Sequence, residues 1–279
     1  MVISLYNDIK GGSVMKNKIY LWEKDVPYFN PDFAQEPPSI TEYFLDNGKK
    51  NGCVLVIPGG GYGFVCIDHE GDAICRYLNA NGISAAYLNY RIAPYKHPVM
   101  ETDARRAVRL LRYNADKWGI DAQKIGTMGF SAGGHLTCMT ALRFDYGIKN
   151  GDEIDAVSSR PDTSAPCYAV ASLDPEITHM GTLQNLLGPD ADKNMIESLS
   201  SENIVRDDTP PVFLWHTAED TAVNPECSLR FASSLIKAGI PCELHIFPYG
   251  GHGLGTAENQ PLADAWMPLY IKWLKYYGY

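Results

Sequence analysis

The sequence predicts an α/β fold: a mostly parallel, doubly wound sheet of about eight strands with helices on both faces and a small cap insertion. Three observations carry this. Short β-type apolar runs alternate with segments of helical periodicity along most of the chain, the pattern of strand–helix–strand crossovers. One run, Cys53-Val54-Leu55-Val56-Ile57, is apolar throughout, as a central strand covered on both faces requires. The length, 279 residues with 45% hydrophobic, suits one large core.

In chain order, 18–22 and 39–45 read as strands, and the prolines at 27, 31, 37 and 38 keep the stretch between them irregular. Such a pair suits an antiparallel edge. The strand 53–57 stops at Pro58-Gly59-Gly60-Gly61-Tyr62-Gly63. Residues 68–80 read as a helix with Asp68 as N-cap, and 83–90 as a strand. Ala104, Ala107, Val108, Leu111, Ala115 and Trp118 fall at helical spacing, with Arg105, Arg106, Arg109 and Arg112 on other faces. A strand at 124–129 leads into a helix at 132–142. The polar stretch 145–163 reads as loop and 165–172 as strand. Residues 174–208 read as the cap, with helical pieces at 180–187 and 195–199. The chain closes with a strand at 212–216, a helix at 225–238, a strand at 242–247 and a helix at 262–277. Residues 15–279 form a single domain in this reading. Lys10-Gly11-Gly12 can be encoded as a bacterial ribosome-binding site ahead of Met15, so 1–14 is expected to be a non-native or flexible leader.

The motif that organises the rest is Gly129-Phe130-Ser131-Ala132-Gly133. It is a G-x-S-x-G pattern between a predicted strand and a predicted helix, the setting of a nucleophile elbow. A hydroxyl there needs a base and an orienting acid, in the chain order serine, acid, histidine. Asp220 follows the strand at 212–216, with Glu219 its neighbouring rival. His252 lies among glycines after the strand at 242–247. In open α/β sheets such carboxyl-terminal loops meet at the ligand site. Ser131 is therefore the candidate nucleophile, His252 the general base and Asp220 the group that orients it. An oxyanion needs backbone N–H donors, and Gly60, Gly61 and Ala132 are the candidates. Three glycines also suit a phosphate loop, but no G-K-[ST] follows. His135 is expected to pack, His216 and His245 to be core or face residues, and His179 to belong to the cap. No metal-ligand spacing is evident among His, Cys, Asp and Glu, so no metal is expected.

These residues resemble the α/β-hydrolase superfamily, in particular its lipase/esterase branch and the acetylxylan-esterase-like carbohydrate esterases. The carriers are Pro58 to Tyr62, Leu88-Asn89-Tyr90-Arg91-Ile92-Ala93-Pro94, Gly129 to Leu136, Trp215 to Asp220 and Gly250-Gly251-His252-Gly253. The resemblance implies a Ser131–His252–Asp220 triad, an acyl-enzyme and no cofactor. Hormone-sensitive-lipase-type esterases place a histidine before the three glycines. Pro58 stands there instead, which favours the acetylxylan-esterase-like branch. The function expected is hydrolysis of short acyl esters, acetyl foremost, of carbohydrates or small alcohols. A prolyl-oligopeptidase-like peptidase and an inactive hydrolase-fold binding protein are the alternatives. Tyr62, Phe64 and Tyr249 flank the catalytic loops as candidate faces for a sugar ring. Arg91 is expected to make a structural ion pair.

The formal net charge is −9, which disfavours nucleic acid and anionic membranes as partners. No run is long enough to span a bilayer. The partner expected is a small-molecule or oligosaccharide ester, with a homo-oligomer left open. The seven cysteines form no C-x-x-C pair, and the N-terminus lacks a secretory pattern, so a cytoplasmic setting is expected.

Overall fold

The structure, a computed structural model, describes residues 17–279. The expected leader 1–14 lies outside them. Eight strands form one sheet: β1 (Lys18–Tyr20), β2 (Ser39–Tyr43), β3 (Asn51–Ile57), β4 (Ser84–Asn89), β5 (Ile120–Phe130), β6 (Thr163–Cys167), β7 (Val212–Thr217) and β8 (Cys242–Phe247). Their order is β1-β2-β4-β3-β5-β6-β7-β8. β1 pairs antiparallel with β2, and β2 with β4. Every other pairing is parallel.

Among the described residues seven α-helices accompany the sheet: α1 (Ala73–Ala80), α2 (Val99–Tyr113), α3 (Ser131–Leu142), α4 (Met180–Leu187), α5 (Lys193–Ser198), α6 (Glu226–Lys237) and α7 (Trp266–Tyr276). β3 explains the layering. Cys53, Leu55 and Ile57 enter one core with Met100, Leu136 and Phe231 from α2, α3 and α6. Val54 and Val56 enter the other with Ile74, Trp266 and Tyr270 from α1 and α7. Alternation along one fully apolar strand thus fills two cores, one on each face of the sheet.

Three local expectations are corrected. Asp68 is not an N-cap. It opens a π-helical turn, Asp68–Asp72, which has no side-chain cap. The helical spacing noted from Ala104 to Trp118 runs past its helix, which spans Val99–Tyr113, so Ala115 and Trp118 lie beyond its end while Val99 and Met100 already bury against the core. The α2 arginines are not merely set on other faces. Arg106 pairs with Asp152 and Asp155, Arg109 with Asp145, and Arg112 with Asp162, so they pin the irregular stretch before β6. Arg91 forms the expected ion pair with Asp103, both buried.

Candidate active site

Ser131 sits where β5 turns into α3, with a backbone φ of 54°. That left-handed conformation is strained for a side-chain-bearing residue and typical of functional turns. Its neighbours permit the tight passage. A Cβ on Gly129 would lie 2.2 Å from Thr137 Oγ1 and 2.3 Å from the Gly133 carbonyl oxygen. One on Gly133 would lie 2.2 Å from the Ile57 carbonyl oxygen. The glycines two before and two after the serine are therefore fixed by contact with β3 and α3.

The structure brings the three relay residues together. Ser131 Oγ is 2.8 Å from His252 Nε2, and His252 Nδ1 is 2.7 Å from Asp220 Oδ2. Asp220 Oδ1 accepts the N–H groups of Ala222 and Val223, both at 2.9 Å. Glu219 is turned away and accepts the Gly250 N–H. Burial pushes the Asp220 carboxyl up, but hydrogen bonds from His216, His252 and the Val223 N–H outweigh it. The carboxyl is held well below its usual range. His216 is more than a core residue. Its Nε2 lies 3.2 Å from Asp220 Oδ2 and 3.1 Å from the Val223 carbonyl oxygen, while its Nδ1 faces Ser228 Oγ at 2.8 Å.

The oxyanion candidates meet at the same place. Among the described residues, neither the Gly60 nor the Gly61 N–H has an acceptor, and both glycines line the cavity with Ser131. Ala132 lies in the first turn of α3, where N–H groups lack helical acceptors. Gly60 has a φ of 126°, and a Cβ there would lie 2.2 Å from the Phe64 carbonyl oxygen, so the loop needs glycine.

Sequence reasoning missed Glu70, which is 2% exposed. Its Oε2 accepts the Gly59 N–H at 2.8 Å, and its Oε1 accepts the Tyr168 hydroxyl at 2.7 Å. Tyr168 in turn accepts the Gly255 N–H at 3.0 Å and sets its ring edge-on to His252, centroids 5.1 Å apart. One buried carboxylate thus ties the glycine loop to the loop that carries His252. A glutamate inside a predicted helix gave no sign of this, because its partners, Gly59 and Tyr168, lie 11 and 98 residues away in the chain.

The aromatic expectation is corrected at Tyr62. Tyr62 is fully buried, so it offers no face to a ligand. Its hydroxyl donates to His135 Nδ1 at 2.8 Å, and His135 Nε2 donates to the Leu199 carbonyl at 2.9 Å. Burial holds His135 down at about 4, so it is a neutral packing residue, as expected. Tyr249 is exposed but lies outside the cavity lining, whereas Phe64 is exposed and lines it.

The cavity measures about 340 Å³, and His179, Gly181 and Asn185 of the cap line it together with the glycine loop. The absence of metal-ligand spacing is also corrected. Cys66, His69 and Glu70 bring one ligand atom each to within 4.8 Å of one another. The group does not fit a metal. Both Glu70 oxygens already accept hydrogen bonds. Burial, then the charges of Glu70 and Asp68, push the Cys66 thiol up to about 11, so it stays protonated at neutral pH.

The sheet, the elbow and the placement of serine, acid and histidine define an α/β-hydrolase fold. The chain belongs to the BD-FAE family, whose profile matches residues 43–235. It is similar to the acetyl ester-xyloside bifunctional hydrolase of Caldicellulosiruptor lactoaceticus, with 46% identity, a TM-score of 0.91 and coverage of 94% of this chain and 97% of that one. It is 37% identical to endo-1,4-beta-xylanase B of Butyrivibrio fibrisolvens over 82% of this chain, and 30% identical to an acetylxylan esterase of Xylanibacter ruminicola over 83%. The chain spans only 36% and 47% of the lengths of those two relatives. The propionate-bound esterase Est2 of Thermogutta terrifontis, 22% identical with a TM-score of 0.76 and coverage of 94% of each chain, shares the fold.

Proposed function

We propose that this chain is a serine carboxylesterase that removes short acyl groups, acetyl foremost, from carbohydrate or small alcohol esters. The observation that carries the reading is the Ser131–His252–Asp220 relay, with contacts of 2.8 and 2.7 Å at the floor of a small cavity. The likeness to the acetylxylan esterase and to the acetyl ester-xyloside hydrolase supports the ester and the acetyl group.

His252 Nδ1–H donates to Asp220, which leaves Nε2 free to take the Ser131 proton. Ser131 Oγ attacks the ester carbonyl. The oxyanion forms against the N–H groups of Gly60, Gly61 and Ala132. His252 passes its proton to the leaving alcohol, leaving the acyl group on Ser131 Oγ. It then takes a proton from the water that attacks the acyl carbon and returns it to Ser131 Oγ as the acyl bond breaks and the acid leaves. No step calls for a cofactor. Residues 15–279 act as one domain, with 174–208 as a short cap over the cavity. All seven cysteines are free thiols, which supports a reducing, cytoplasmic setting. No helix among the described residues is long and apolar enough to cross a membrane.

A panel of acetylated xylo-oligosaccharides, acetylated monosaccharides and p-nitrophenyl esters of rising chain length tests the reading. Acetyl esters are expected to lead. Preference for octanoyl, or cleavage of aminoacyl-anilides in place of esters, overturns it.

A further inference from the structure

Two cap side chains line the cavity that holds Ser131 yet have no part in the proton relay. His179 precedes α4 and caps it. The Thr182 N–H lies 3.2 Å from His179 Nδ1, and Thr182 Oγ1 lies 2.8 Å from the same atom. A backbone N–H can only donate, so Nδ1 is the acceptor and the ring proton must sit on Nε2. Burial, and then the neighbouring His252, hold His179 below its ordinary value, which keeps the ring neutral at neutral pH. Among the described residues Nε2–H has no acceptor. The Cε1 edge beside it lies 3.8 Å from where Gly61 would carry a Cβ, at the cavity wall.

Asn185, one and a half turns further along α4, is oriented just as unambiguously. Its Nδ2 donates to the Gly61 carbonyl at 2.9 Å, so its Oδ1 is the remaining acceptor, and it has no partner among the described residues. The helix that carries both is fastened to the body of the domain. Lys96 Nζ donates to the carbonyls of Gln184 and Asn185 at 2.8 and 2.9 Å, and the His97 N–H to that of Leu186 at 2.9 Å. A fixed donor and a fixed acceptor thus flank the oxyanion loop, beside the exposed ring of Phe64.

We propose that His179 and Asn185 form an alcohol subsite that recognises free hydroxyls next to the scissile ester, so that the substrate is an ester of a sugar or other polyol. This rests on the esterase reading above. The His179 Nε2–H donates to one substrate hydroxyl oxygen, and Asn185 Oδ1 accepts from a hydroxyl. A simple alkyl alcohol satisfies neither group. Sites built to hydrogen-bond a substrate hydroxyl discriminate against partners that lack it.

The experiment compares methyl 2-O-acetyl-β-xyloside with its 3,4-dideoxy analogue, which lacks both the hydroxyl donors and their acceptor oxygens, for the wild type and for His179→Asn. Asparagine is also a strong helix N-cap, so the variant keeps α4 capped, which its melting temperature checks. The wild type is expected to prefer the free diol. His179→Asn is expected to lower that preference about three- to tenfold, the range of one neutral hydrogen bond, mainly through KM. Equal turnover of the two substrates by the wild type overturns the subsite, as does an unaltered preference in the variant with the fold intact. Inactivity of the wild type on both substrates and on p-nitrophenyl acetate would instead mean that the esterase reading itself fails, and the subsite falls with it.

Discussion

His216 Nε2 stands 3.2 Å from Asp220 Oδ2, the oxygen that also accepts from His252. The aspartate is therefore held by two imidazoles, His252, which also faces Ser131 Oγ, and His216, locked in β7 by Ser228. His216→Phe removes the second. Asp220 loses a donor and Ser228 a partner. The expected result is a fall of about tenfold in kcat with KM little changed, together with about 1–3 kcal/mol of lost stability. Steady-state kinetics with a thermal melt check it, and an unchanged kcat contradicts the positioning role.

The Glu70–Tyr168 connection predicts a second effect away from the reacting atoms. Tyr168→Phe deletes the hydroxyl that both donates to Glu70 and accepts from Gly255. The glycine loop and the base loop then lose their common tie. Turnover of an acetyl ester is expected to fall about tenfold, again in kcat more than in KM. The rate of labelling by a fluorophosphonate should fall with it, since that reaction uses the same donors. Equal losses of folding stability and no loss of rate would make the pair purely structural.

Gly129→Ala tests the elbow sterically. A Cβ 2.2 Å from Thr137 Oγ1 and 2.3 Å from a backbone oxygen forces β5 and α3 apart. The expected cost is about 3 kcal/mol or more, read as a drop in the melting temperature with loss of activity. A melting temperature close to wild type contradicts the close passage.

Acid should loosen the stretch before β6. The hydrogen bond from Arg106 is the main cause that lowers Asp152 to about 2, against burial that raises it. A carboxyl depressed on folding contributes stability above its unfolded value of about 4 and loses it as pH falls through its folded value. Stability is therefore expected to fall between about pH 4 and pH 2. Asp152→Asn should be less stable than wild type at pH 7 and converge with it near pH 2, as followed by circular dichroism. A constant difference across that range contradicts the pairing.

How much was legible in the sequence follows from how local each signal is. The elbow could be read because its glycines and serine are neighbours in the chain, and β3 because a fully apolar run has few other uses. Asp220 and His252 could be read because chain order and strand ends place them. Tyr62 misled because adjacency to a catalytic loop says nothing of direction. Its φ of 58° turns it inward, onto His135. Glu70, His216 and His179 were unreadable as site residues. Glu70 acts through Tyr168, 98 residues on, whereas His216 and His179 touch groups four and three residues away and reach the site only through a strand end and a helix cap whose geometry sequence does not display. The arginines of α2 were seen as a charged face, while the aspartates that neutralise them lay in what looked like a featureless loop.

The central claim is that Ser131 is the nucleophile of an ester hydrolase. The most direct test is the rate of p-nitrophenyl acetate hydrolysis by wild type and Ser131→Ala at matched, verified folding. A loss on the order of 10⁶ in turnover is expected if serine, histidine and aspartate act as a unit. Comparable rates in the two proteins would contradict it.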